Sequence, residues 1–123
     1  MKKKILAVDD DPTILKLICS GLSQAGYEVV TTDDGAKVMG LLESAKPDLA
    51  ILDIIMPQMD GTEVARQMRE DPRYQNIPII FLTVLCDKSH PKAHEEIFGK
   101  NAVLGKPFRM EELAEKAEEM LRG

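Results

Sequence analysis

At 123 residues, 44% of them hydrophobic and 30% charged, the chain has the size and balance of one globular domain over residues 1–123, and disorder, collagen and coiled coil are excluded. No run approaches the roughly 18 apolar residues of a membrane helix, and the apolar stretch after Lys4 is too short for a secretory signal, so a cytoplasmic protein with no membrane partner is expected. Sixteen basic against 21 acidic side chains leave a formal net charge of −5, which opposes direct contact with nucleic acid.

Short apolar runs alternate with helical patterns about every 25 residues, the rhythm of stacked βα units. Lys2, Lys3 and Lys4 read as a solvated face, and Ile5 to Val8 as the first strand, ending at Asp9, Asp10 and Asp11. Asp11 with Pro12 behind it is a helix start. The helix carries Ile14, Leu15, Ile18, Leu22 and Ala25 on one stripe, with Cys19 as a packing residue and Gly26 free to adopt a left-handed cap. Glu28 to Thr32 is the second strand. Asp34 caps a helix bearing Val38, Leu41, Leu42 and Ala45, which Lys46-Pro47 ends.

Leu49 to Leu52 is the third strand, stopping at Asp53, and Met56-Pro57-Gln58-Met59-Asp60-Gly61 holds the breakers of a surface loop. Val64, Ala65 and Met68 mark the next helix. Ile77 to Leu82 is the fourth strand, Ser89-His90-Pro91 caps a weakly patterned helix to about Phe98, and Ala102 to Leu104 is a short fifth strand. Met110, Leu113, Ala114, Ala117, Met120 and Leu121 stripe the last helix, with Glu111 and Glu112 in its first turn. Strands apolar on both faces predict an α/β fold: a doubly wound, five-stranded parallel sheet covered by helices on both sides.

Ligands of open parallel sheets bind beyond the carboxyl ends of the strands. In a flavodoxin-like order, 2-1-3-4-5, the endings Asp9-Asp10, Asp53, Thr83 and Lys106 fall on consecutive neighbours about 4.8 Å apart. An aspartate after a strand is ordinarily a helix cap, and a lone lysine is surface charge. Five such residues at adjacent strand ends are not accounted for by capping. Each pair of carboxylates costs on the order of 4 kcal/mol at about 4 Å in an effective dielectric of 20, and Lys106 alone cannot neutralise three. A divalent cation is therefore expected, and all-oxygen ligation favours Mg²⁺. Asp53 then has the surroundings of a nucleophile toward phosphorus, with Thr83 as a hydrogen-bond donor.

The motifs Val8-Asp9-Asp10-Asp11-Pro12, Leu52-Asp53-Ile54-Ile55-Met56-Pro57 with Met59-Asp60-Gly61, Leu82-Thr83 and Lys106-Pro107-Phe108 together resemble the receiver domain of two-component response regulators over essentially the full length. The resemblance implies that Asp53 takes a phosphoryl group from a phosphohistidine on a sensor histidine kinase or histidine phosphotransfer protein, and that the change is passed to a downstream protein. It further implies Mg²⁺ held by Asp10, Asp53 and the main-chain carbonyl of Ile55, with Asp9 acting through coordinated water. Lys106 would contact the phosphoryl oxygens, Thr83 would turn inward to report them, and the peptide before Pro107 would be cis. Such a domain is a switch rather than an enzyme, its only chemistry being self-catalysed phosphotransfer and dephosphorylation.

Several positions depart from that family's pattern. The aromatic switch partner is replaced by Val103, Val84 is larger than the usual small residue after the threonine, and Leu85 to Lys100, with Pro91 inside, is atypical. Ile55 and Leu85, each two residues beyond a site residue, offer no group that orients an attacking water, which predicts slow hydrolysis of the acyl phosphate. Two other readings compete: a Mg²⁺-dependent phosphohydrolase, which usually has a second acid where Ile55 stands, and a degenerate domain that only docks partners. His90 and His94 lack a third metal ligand, Cys19 and Cys86 are expected to be reduced, and Met56 and Met59 read as loop packing. A homodimer is compatible with the sequence, which does not define the oligomeric state.

Overall fold

A computed structural model describes residues 2–54, 60–83 and 101–122 of the chain. Five strands, β1 (Lys4–Val8), β2 (Glu28–Thr32), β3 (Leu49–Asp53), β4 (Ile79–Thr83) and β5 (Ala102–Gly105), form one parallel sheet in the expected order β2-β1-β3-β4-β5. Among the described residues four α-helices accompany it: α1 (Pro12–Gln24), α2 (Val38–Ala45), α3 (Gly61–Glu70) and α4 (Met110–Arg122). None is long and apolar enough to cross a membrane.

Side chains alternate across a strand, and here both sets are buried. Ile5, Ala7, Leu49, Ile51, Ile80 and Leu82 pack with Leu15, Ile18 and Leu22 of α1 and Leu113 and Ala117 of α4. Leu6, Val8, Ala50, Leu52, Ile79 and Phe81 pack with Val38 and Leu42 of α2 and Val64, Ala65 and Met68 of α3. The three central strands therefore lie between two helix layers, which is why they read as unbroken apolar runs.

The starts of α2 and β4 differ from the sequence reading, each for a local reason, while α2 ends at Lys46-Pro47 as read. The carboxylate of Asp34 accepts from the Ala36 amide, which starts a single 3₁₀ turn, Gly35–Lys37, and α2 begins only at Val38. Lys46 closes α2 in a left-handed conformation, φ 51°, because Pro47 disfavours the helical region at the residue before it. β4 starts at Ile79 rather than Ile77: Pro78 has no amide for the ladder, and the Ile77 amide is already spent on the Tyr74 carbonyl.

At the carboxyl end, Asp60 and Gly61 are not loop. Asp60 is the N-cap of α3, its Oδ1 accepting from the Thr62 amide and hydroxyl at 2.8 and 2.7 Å. Asp11 caps α1 in the same way, and Gly26 takes the left-handed turn after it with φ 99°. The helix proposed to run to about Phe98 lies outside the described residues.

Candidate functional site

The strand termini bring four polar groups to one rim. Asp9 follows β1, Asp53 closes β3, Thr83 closes β4 and Lys106 follows β5. Asp9, Asp53 and Thr83 are 0%, 4% and 3% exposed, unusual for such groups at a sheet edge, while Asp10 stays in solvent. One carboxylate oxygen from each of Asp9, Asp10 and Asp53 lies within 4.8 Å of the others.

The Lys106 ammonium enters this cluster. Its Nζ donates to Asp9 Oδ2 at 2.8 Å and lies 3.4 Å from Asp53 Oδ2, so it bridges the two buried carboxylates. The shorter contact is to Asp9, reached past β3 and β4 by the long lysine stem. Asp9 is the fully buried anion and needs the cation most. Its other oxygen accepts from the Asp11 amide at 2.9 Å, a tight turn that points the chain into α1. Burial pulls the Lys106 pKa down, but the Asp9 hydrogen bond and the charges of Asp9 and Asp53 more than offset it, so the net shift is upward. The ammonium is thus held charged against the carboxylates.

One ammonium facing three carboxylates leaves the rim strongly negative. Oxygen donors spaced closely enough to share one ion, two of them buried and one open to solvent, suit a hard dication. The donor set therefore fits Mg²⁺ on its chemistry.

Thr83 is fixed through its backbone: its carbonyl accepts from the Lys106 amide at 2.8 Å, and it pairs with Gly105 in register. Lys106-Pro107 is a cis peptide. Val103 sits opposite Phe81 and packs into the α2/α3 layer, presenting only an apolar side chain. Cys19 is a free thiol on α1, half-buried. Ile55, Met56, Met59, Val84, Leu85, Cys86, His90 and His94 lie outside the described residues. Sequence reasoning missed Gly61 as a residue of the site; the aspartate-glycine pair just ahead of the Val64, Ala65 and Met68 stripe was the available signal for a capped helix packed against Asp53.

Comparison with known proteins agrees with this architecture. The response regulator receiver domain family matches residues 5–118. The alkaline phosphatase synthesis transcriptional regulatory protein PhoP of Bacillus subtilis is 36% identical over 122 residues, 99% of this chain and 50% of PhoP. The DNA-binding dual master transcriptional regulator RpaA of Synechocystis is 37% identical over 119 residues, 97% of this chain and 49% of its own. The chain spans about half the length of these curated relatives. Among solved structures, the chemotaxis protein CheY4 of Vibrio cholerae superposes with a TM-score of 0.87 at 32% identity, covering 98% of this chain and 99% of that one. The BeF3-activated N-terminal receiver domain of Klebsiella pneumoniae RstA does so with 0.85 at 30% identity, covering 98% and 100%. The chain belongs to the response regulator receiver domain family.

Proposed function

We propose that residues 1–123 act as one receiver unit in which Asp53 is the phosphoacceptor and Asp9, Asp10 and Asp53, with the main-chain carbonyl of Ile55, hold Mg²⁺. The observation that carries this reading is the convergence of two buried carboxylates, one exposed carboxylate and one lysine at the carboxyl rim of the sheet. An Asp53 carboxylate oxygen attacks the phosphorus of a phosphohistidine. The new P–O bond forms as the P–N bond breaks, and the imidazole leaves with the electron pair and is protonated from solvent. Lys106 and the Thr83 hydroxyl contact the transferred group, and Asp9 keeps Lys106 in place meanwhile. Bound Mg²⁺ supplies the charge that lets phosphoryl oxygens approach an anionic rim.

The donor is a sensor histidine kinase or histidine phosphotransfer protein, and the protein works in the cytoplasm. PhoP and RpaA are named as transcriptional regulators, so we assign the downstream output of the present chain to control of transcription through a partner or a further domain. The acidic receiver itself has no charge pattern for nucleic acid. A phosphohydrolase is disfavoured because Ile55 stands where such enzymes usually carry a second acid.

Intact-mass measurement after incubation with phosphoramidate tests the assignment. Wild type with Mg²⁺ gains one phosphoryl group, whereas Asp53→Ala, or wild type with Mg²⁺ chelated, gains none. Equal labelling of wild type and Asp53→Ala would exclude Asp53 as the acceptor.

A further inference from the structure

The acceptor strand is pressed directly against the first turn of α3, with no space between them for a side chain. Gly61, the first residue of α3, is buried. A Cβ placed there would overlap the Asp53 carbonyl oxygen, and would lie 2.9 Å from the Asp53 carbonyl carbon and 3.0 Å from the Ile54 Cα. All three neighbours are backbone atoms, so no rotamer change relieves the overlap. Gly21 differs: its near neighbours are the flexible end of Met110. Gly40 meets nothing within 4 Å.

Hydrogen bonds hold Ile54, the residue after the acceptor, from both sides, one through its amide and one through its carbonyl. The Gly61 amide donates to the Ile54 carbonyl at 2.8 Å, and the Ile54 amide donates to the Leu82 carbonyl at 3.0 Å. The chain leaving Asp53 is thereby gripped between β4 and α3. The α3 side of this grip is itself fixed, by the Asp60 cap at its start and by Val64, Ala65 and Met68 in the core.

We infer that Gly61 is a positioning residue for phosphoryl transfer at Asp53: by lacking a Cβ it lets α3 abut the acceptor's own peptide and so fixes where the carboxylate stands relative to Lys106 and Asp9. The inference rests on Asp53 being the acceptor. In-line transfer is sensitive to placement, and a shift of about 1 Å costs on the order of a hundredfold in rate. Any side chain at position 61 must displace the Asp53–Ile54 peptide or lift α3 away from it.

The test uses the full chain as wild type, Gly61→Ala, Asp60→Ala and Gly40→Ala. The rate of labelling by phosphoramidate with Mg²⁺ is measured per folded molecule, the folded fraction coming from urea unfolding, together with amide exchange at Ile54. Gly61→Ala should label about tenfold or more slowly with faster exchange at Ile54, and Gly40→Ala should behave as wild type. Asp60→Ala loosens the same turn without adding an atom beside Asp53 and serves if Gly61→Ala does not fold; it should label several-fold more slowly. Wild-type labelling per folded molecule in Gly61→Ala, or in Asp60→Ala where that variant stands in, overturns the inference alone. A wild type that takes up no phosphate overturns the acceptor assignment and this inference with it.

Discussion

Lys106 is the one cation among the described residues of the rim, and its placement sets the energetics of everything beside it. Its ammonium satisfies Asp9, which is fully buried, and reaches Asp53 as well. Replacing it by methionine keeps the volume of the stem but leaves two buried carboxylates facing each other. Breaking a buried pair from one side costs about 3 kcal/mol or more, because the remaining charge is uncompensated. Lys106→Met should therefore lower the urea midpoint by the equivalent of about 3 kcal/mol in the absence of divalent cation. An unchanged midpoint would mean that the ion pair is not a stabilising contact. The residues of this cluster could be picked out in the sequence because each stands at the end of an apolar run. Which carboxylate Lys106 would prefer could not, since partner choice depends on burial and on the reach of the side chain across β3 and β4.

Elements were legible to the degree that their signal is local. β1, β3 and β4 are buried on both faces and so appear as continuous apolar segments, and Asp11-Pro12 announces α1. The start of α3 was missed because a stretch carrying Pro57 and Gly61 reads as loop until Asp60 is recognised as a cap. The end of β4 nearest its N-terminus was overextended because Ile77 is apolar, although Pro78 interrupts the ladder. The turn after α3 offers a pH test. Asp71 accepts the Arg73 guanidinium and backbone amide, which hold its carboxyl below the ordinary carboxylate value against a small opposing effect of burial. A depressed folded pKa adds stability above the ordinary value that is lost as pH falls through the depressed one. Arg73→Ala should raise the Asp71 titration midpoint, followed by carbonyl-carbon NMR, and the stability gap between variant and wild type should close in acid. A midpoint that does not move would rule out the Arg73 contact as its cause.

Among the described residues, two helix layers cover the faces of the sheet, and the buried carboxylates Asp9 and Asp53 lie together at one rim. Against the formal charge of −5, the carboxylates of Asp9, Asp10 and Asp53 meet at that rim, and a dication bound there would relieve their repulsion. Charge placed on Asp53 enters beside a buried ion pair, so it perturbs contacts that already hold β1, β3 and β5 together. A phosphoryl group on Asp53 would carry about −1.5 to −2 charge in place of the carboxylate's −1, a net gain of at most about one negative charge together with new acceptor oxygens that bias neighbouring segments. Ile55 and Leu85 supply no polar group to activate water, so the phosphorylated protein should persist far longer than a few seconds when donor is removed; decay followed by intact mass within that time would contradict the expectation.

The most direct measurement locates the phosphoryl group. Borohydride cleaves an acyl phosphate and reduces the freed carbonyl to an alcohol, which converts a phosphorylated aspartate to homoserine, and tandem mass spectrometry of the digested protein reads the position. After labelling with phosphoramidate and Mg²⁺, homoserine is predicted at position 53 and at no other aspartate. Homoserine at Asp9 or Asp10 with Asp53 intact, or phosphate retained on His90 or His94 with no homoserine formed, would contradict the account.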